Sequence, residues 1–189
     1  MKNLKFYFLG LILSLASTAG AQSFDKGTKV ASLGIGIGSS LGSFDYSTQI
    51  PGISLMYEQG IAQAGNVGVI GLGGYVGYKS FSWETKSGTI ESKSKWNYTI
   101  IGLRGALHFT GIDKENLDLY GGVMASYNLL NYSYEDNTGF NSGNSGNFGN
   151  SAGLTLFAGA RYYFSDNLAG FAELGYGVSY LNLGLAVKF

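Results

Sequence analysis

The sequence predicts an all-β chain, an eight-stranded antiparallel up-and-down transmembrane β-barrel preceded by a cleavable signal peptide. Three observations carry that prediction. Apolar residues recur with a period of two almost throughout. The N-terminus has the basic, apolar and small-residue pattern of a secretory leader. The rest of the chain is poor in charge and rich in aromatics, yet holds no apolar run long enough for a membrane-crossing helix. A closed β-barrel is the other way to satisfy every backbone group in lipid.

The leader is "MKNLKFYFLGLILSLASTAGAQ". Lys2 and Lys5 precede an apolar run from Phe6 to about Ala16, and small residues follow, ending Ala19-Gly20-Ala21. Ala19 and Ala21 fit an A-x-A cleavage site, which predicts residues 1–21 as signal peptide and 22–189 as the barrel domain. The chain has no cysteine, so no lipid anchor and no disulfide is expected. Without Lys2 and Lys5, ten basic residues stand against twelve acidic ones, a formal charge of −2. Charged residues make up 13% of the chain, about half the ~25% of soluble domains. No basic patch stands out, so nucleic acid is not an expected partner.

Eight strands are predicted, at 29–38, 53–60, 67–79, 96–109, 117–130, 154–164, 168–176 and 179–189. An even number lets the first strand close on the last. The connections alternate. "IAQAGN", "TGIDKEN" and "SDN" are short, whereas the segments at 39–52, 80–95 and 131–151 are long. Bacterial barrels have short periplasmic turns and longer outer loops, so both termini are expected in the periplasm. "FNSGNSGNFGN" is low-complexity and receives no predicted structure. "KSFSWETKSGTIESKSKW" has two β-competent arms and is expected to extend the third and fourth strands as a hairpin around 86–89.

The alternation defines two faces. One carries Leu33, Ile35, Ile37, Ile53, Leu55, Tyr57, Ile70, Leu72, Val76, Tyr78, Ile101, Leu103, Leu107 and Phe109. It continues through Leu117, Leu119, Val123, Leu129, Leu154, Leu156, Tyr162, Phe164, and the odd-numbered residues from Leu181 to Phe189. The other face is small or polar and holds Glu58, Arg104, His108, Asp118, Arg161, Glu173 and Lys188. A soluble barrel would turn this second face to water. It has few charges and much Gly, Ala, Ser and Tyr, which suits the narrow interior of an eight-stranded barrel instead. A basic side chain at mid-bilayer costs roughly 2–4 kcal/mol. Six strand charges facing lipid would cost on the order of 10 kcal/mol, comparable to the ~5–15 kcal/mol net stability of a domain. The charges are therefore expected inside. Arg161 and Glu173 flank one short turn and His108 and Asp118 another, which suggests cross-strand pairs. Tyr57, Tyr78, Trp96, Phe109, Tyr127, Phe164, Tyr176 and Phe189 sit near strand ends, as interfacial girdles do.

Motifs with chemical overtones do not hold. "GSSLG" matches a nucleophile elbow, but a polar loop follows it, and the only histidine, His108, is expected at the opposite end of the barrel. "GIGIG" and "GLGGYVG" lack dinucleotide-fingerprint spacing. One histidine and no cysteine give no metal-ligand pattern, and no cofactor is expected.

Strand number, loop alternation and the ending "YLNLGLAVKF" resemble the small eight-stranded outer-membrane barrels of Gram-negative bacteria, the OmpA/OmpX type within the porin-like barrels. The resemblance spans 22–189. It implies that the ending, with Tyr180, Leu185, Val187 and the terminal aromatic Phe189, is a recognition signal for the barrel-assembly machinery. Outer-membrane lipid and lipopolysaccharide are then the expected surroundings. The first functional expectation is a non-enzymatic barrel with a side-chain-filled lumen, acting in envelope structure or adhesion through loops 39–52, 80–95 and 131–151. A narrow channel for small solutes is the alternative. A lipid A-modifying enzyme ranks last, because it needs a Ser/His pair near the outer leaflet.

Overall fold

A computed structural model describes residues 24–41, 48–88, 90–111, 114–137 and 149–189. The predicted leader with Ala19 and Ala21, part of the first long loop and most of the low-complexity segment lie outside these residues. Eight strands follow in order: β1 (Lys29–Ile37), β2 (Thr48–Ala64), β3 (Gly68–Ser87), β4 (Ile90–Phe109), β5 (Leu117–Asp136), β6 (Ser151–Tyr163), β7 (Leu168–Tyr176) and β8 (Leu181–Lys188). Each pairs antiparallel with its chain neighbours, and β1 also pairs with β8, from Val30↔Lys188 to Ile37↔Leu181, so the barrel is closed. Closure explains the alternation that runs to the last residues. Phe189 still exchanges backbone hydrogen bonds with Lys29, at 3.0 and 3.3 Å.

The strands are longer than the apolar pattern predicts, mostly at the long-loop end. β2 begins at Thr48, β3 runs to Ser87, β4 starts at Ile90, β5 continues to Asp136 and β6 begins at Ser151. Hydrophobic alternation reports where lipid ends, whereas the backbone ladder continues beyond it. The expected hairpin forms, with Lys86↔Glu91 and Ser87↔Ile90 as its last pairs and Gly88 at φ 62°. Residues 131–136, read as loop, are strand. Pro51, the single proline, sits at a register shift between Ile50 and Ile53, where a missing N–H breaks no ladder bond.

β3, β4 and β5 each have 20 residues. At ~3.3 Å per residue each runs ~66 Å, about twice the 9–11 residues that a tilted strand needs to cross a bilayer. β2 follows β3 only as far as Thr48↔Ser82, and β6 follows β5 only as far as Asn128↔Ser151. A three-stranded sheet therefore stands clear of the barrel at its long-loop end.

The two faces fall as predicted. Leu33, Leu55, Leu72, Leu103, Leu156 and Leu185 are each more than half exposed on the outside. Glu58, Arg104, His108, Asp118, Arg161, Glu173 and Lys188 are all buried inside. Tyr98, Tyr120, Phe157, Tyr163 and Phe171 fill the lumen between them. Trp96 departs from the girdle expectation. Its even number puts it on the face of Tyr98 and Ile100, where it packs against the core with Tyr132 at 5.6 Å between ring centroids.

Candidate functional site

Two linked clusters occupy the lumen. Near the short-turn end, Glu58 from β2, His108 from β4, Asp118 from β5 and Arg161 from β6 form a closed ring. Glu58 Oε1 lies 3.2 Å from His108 Nε2, and His108 Nδ1 lies 2.8 Å from Asp118 Oδ1. Arg161 Nη1 donates to Asp118 Oδ2 at 3.1 Å, and Arg161 Nη2 donates to Glu58 Oε2. Each carboxylate bridges the two bases. A carboxylate oxygen faces each imidazole nitrogen, an arrangement that suits the imidazolium, which donates from both.

Local sequence places these groups. Asp118 and Arg161 are register partners on β5 and β6, so their side chains meet directly. His108 is opposite Tyr120, one diagonal step from Asp118. Glu58 reaches the ring across β3, where Gly71 leaves the room. A Cβ there would stand 2.8 Å from Glu58 Oε1 and 3.0 Å from His108 Nε2.

The second cluster lies one layer further in. Arg104 grips Glu173 with both terminal nitrogens, at 3.2 and 2.7 Å, a bidentate pairing. Tyr120 donates to the same carboxylate at 3.3 Å, and the Arg104 guanidinium lies 3.9 Å from the Phe157 ring centroid. The guanidinium of Arg161 stacks 4.5 Å from Tyr120, which ties the layers together. Lys188 Nζ lies 4.8 Å from the centroid of Tyr163.

The predicted pair of Arg161 and Glu173 does not form. They sit on a diagonal, Arg161 opposite Phe171 and Glu173 opposite Gly159. Arg161 turns instead to Asp118 directly opposite and to Glu58 across the lumen, which frees Glu173 for Arg104. The predicted meeting of His108 and Asp118 is present.

Two lumen residues escaped sequence reasoning. Phe24 precedes β1 and carries no periodic signal. Its ring stacks on His108 at 3.6 Å and 12°, is 2% exposed and covers the ring of charges at the short-turn end. The chain behind it is fixed by Gly27 N donating to Gly60 O at 2.8 Å and Gly60 N to Thr28 O at 2.9 Å. Lys79 is buried near the long-loop end, where its ammonium donates to Gly38 O and lies 5.8 Å from the Phe81 ring. Extending the inward parity of Tyr75 and Gly77 would have found it.

The charge layers leave little space. The cavity beside Arg104 and Glu173 is about 20 Å³, room for about one water. A larger cavity of about 220 Å³ opens at the long-loop end, above Thr155. The residues of the expected assembly signal are spread around the other rim and the outer wall. Leu185 points outward, Val187 is half-buried between β1 and β7, and Phe189 packs 6.4 Å from Tyr57. Tyr180 lies just before β8 at the long-loop end, 6.2 Å from Tyr176.

No protein-family model matches the sequence, and no curated protein matches it. Solved structures do. Ail, the attachment invasion locus protein of Yersinia pestis, solved in complex with the heparin analogue sucrose octasulfate, is 17% identical with a TM-score of 0.53. That match covers 87% of this chain and all of Ail (100%). Neisserial surface protein A is 20% identical with a TM-score of 0.42, covering 86% of this chain and 95% of that one. The N-terminal barrel of Pseudomonas aeruginosa OprF is 16% identical with a TM-score of 0.44, covering 89% and 98%. At these identities the likeness to Ail speaks for fold alone. With the closed sheet, the apolar exterior and the ionic interior, it gives this chain the fold of an eight-stranded transmembrane β-barrel.

Proposed function

We propose that the protein is a non-enzymatic outer-membrane barrel with a sealed lumen that acts at the cell surface through the β3–β4–β5 sheet. In this reading the long-loop end is extracellular and both termini are periplasmic. The observation that carries it is the contrast between the two parts. The lumen is filled by compensated charges and aromatic rings, while paired strand far longer than a bilayer requires stands free beyond it.

The outward face of that sheet continues the lipid-facing wall but changes character. Above Tyr78 it carries Glu84 beside Lys93, Lys86 beside Glu91 at 2.7 Å, and Lys95 beside Glu135 at 3.4 Å. In this orientation the face meets lipopolysaccharide head groups with three lysines, each matched by a glutamate. Segments 39–52, 80–95 and 131–151 are the parts offered in this reading to another surface protein or a host ligand. Ail, the attachment invasion locus protein solved with a heparin analogue, has this fold, which favours a surface role here. The last strand, with Leu185, Val187 and Phe189, is the part offered to the assembly machinery. An enzymatic role in lipid A modification finds no support, because both nitrogens of the only histidine face carboxylates in the buried ring.

Planar-bilayer recording with pure protein tests the sealed lumen. The expected result is no steady unitary conductance, and a defined, reproducible channel would overturn it. Shortening the hairpin between Trp83 and Ser94 should abolish surface binding while the barrel still inserts. Undiminished binding would refute the role of the sheet.

A further inference from the structure

The cavity at the long-loop mouth of the lumen has a chemistry that the sealed barrel does not require. Its polar lining is Ser40, whose hydroxyl donates to Gly177 O at 3.0 Å, with Ser126, Asn128, Ser151 and Thr155, and Gly153 and Gly177 hold it open. No charged residue borders it among the described residues. The layers beneath are dominated instead by ion pairs and aromatic rings, with Ser54 and Asn182 as a neutral pair among them.

The hydrogen bonds on this wall are incomplete. Ser126 Oγ donates to Asn128 Oδ1 at 3.2 Å, and Asn128 Nδ2 reaches Ser151 Oγ only at 3.5 Å. Among the described residues, one amide hydrogen of Asn128 and the hydroxyl hydrogen of Ser151 have no acceptor. Thr155 is 6% exposed and lines the same cavity. Its hydroxyl can both donate and accept. It faces the cavity as its floor and also borders the single-water space beside Arg104 and Glu173.

The glycines matter because any side chain would close the site. A Cβ on Gly153 would come within 2.6 Å of Ser126 Oγ and 2.9 Å of Asn128 Nδ2, and one on Gly177 would collide with the Thr155 hydroxyl. Leu41 and Val178 add apolar surface to the same lining.

We propose that this cavity binds one neutral pyranose unit. A sugar ring has a hydroxyl edge, which matches the Asn128, Ser151 and Thr155 groups, and a C–H face, which matches Leu41 and Val178. The volume of about 220 Å³ is below the ~300–1,000 Å³ of drug-sized sites and suits a single ring. The absence of a bordering cation disfavours phosphorylated or sulfated sugars, whose charge would lose hydration without a partner. The site is independent of the proposed sheet-mediated role, since it lies inside the mouth on β5, β6 and the β7–β8 connection.

The test is titration of isotope-labelled protein in detergent micelles with D-glucose, D-galactose and N-acetylglucosamine, with glucose 6-phosphate as the charged control. The expected result is saturable shifts of the Asn128 side-chain amide and the Gly153 and Gly177 backbone amides by at least one neutral sugar. The dissociation constant should be on the order of 1 mM. Thr155→Val, which keeps the shape and removes the hydroxyl, should weaken binding roughly fivefold, and Gly153→Val should abolish it. Both variants are first checked for a native amide spectrum. Linear, unsaturated shifts for every neutral sugar, equal binding in Thr155→Val, or tighter binding of glucose 6-phosphate would each overturn the proposal. A methyl glycoside or linear oligosaccharide that binds as well as the free sugar identifies the chain end of a glycan as the source. One that fails while the free sugar binds identifies a free monosaccharide, and either outcome supports the site.

Discussion

His108 Nε2 meets Glu58 Oε1 at 3.2 Å across strand β3, although the two residues stand 50 positions apart in sequence. The contact exists because β3 has a glycine at that level. Gly71→Val would place its Cβ 2.8 Å from the carboxylate and 3.0 Å from the imidazole. Overpacking of this sort costs typically 1–3 kcal/mol. Urea unfolding in lipid vesicles should show a lowered midpoint for Gly71→Val. Gly105→Ala is the control, since its added Cβ would meet nothing within 4 Å and should leave the midpoint unchanged.

Arg161 holds both carboxylates of the ring, so its removal should do more harm than the loss of one hydrogen bond. Arg161→Met leaves Glu58 and Asp118 sharing only His108. Breaking a buried ion pair from one side costs about 3–5 kcal/mol. Adding Glu58→Gln to Arg161→Met should recover part of that loss by deleting an uncompensated charge. A double variant less stable than Arg161→Met alone, in the same unfolding assay, would show that the ring is not an electrostatic unit.

Phe24 is the cover on this ring, and the single histidine gives a clean readout. With His108 1% exposed beneath a stacked ring, wild-type protein should resist carbethoxylation by diethylpyrocarbonate. Phe24→Ala should make His108 reactive while the heat-modifiable band of the folded barrel persists on gels. An equal reaction rate in the two proteins would mean that the access path runs elsewhere.

The faces of this barrel were legible in the sequence because lipid enforces a strict period of two. Every residue of the expected charge set, from Glu58 to Lys188, lies inside. Their partners were less legible. Arg161 and Glu173 flank one turn, yet the barrel's curvature brings Glu58 from four strands away to Arg161, and sequence separation carries no trace of that distance across the lumen. Strand ends were hidden for another reason. Ser80, Ser82, Lys93 and Lys95 pair through their backbones beyond lipid, where apolar alternation has no cause to continue. Phe24 lies before the first periodic segment, and the cavity over Thr155 arises from glycines on β6 and on the β7–β8 connection. Neither leaves a local pattern.

The free sheet carries its own titration. Lys93 hydrogen-bonds Glu84 and holds its carboxyl below the usual value of 4.5, on residues beyond the lipid-spanning part of β3 and β4. A carboxyl with a lowered value contributes stability that is fully present above its unfolded pKa and lost as pH falls through the folded one. Glu91 acts oppositely on Lys86, whose value is raised, so the lysine's contribution is present below its unfolded value and is lost as pH rises through the raised one. Amide exchange at Glu84 and Lys93, corrected for intrinsic rates, should therefore be flat from pH 7 to pH 5. Exchange should quicken below the ordinary carboxylate range, by a small factor because both side chains are solvated. Glu84→Gln should remove that acid-side change and leave exchange in the membrane-spanning part of β4 as it was. Retention of the same acid-side quickening in Glu84→Gln would place its origin outside this pair.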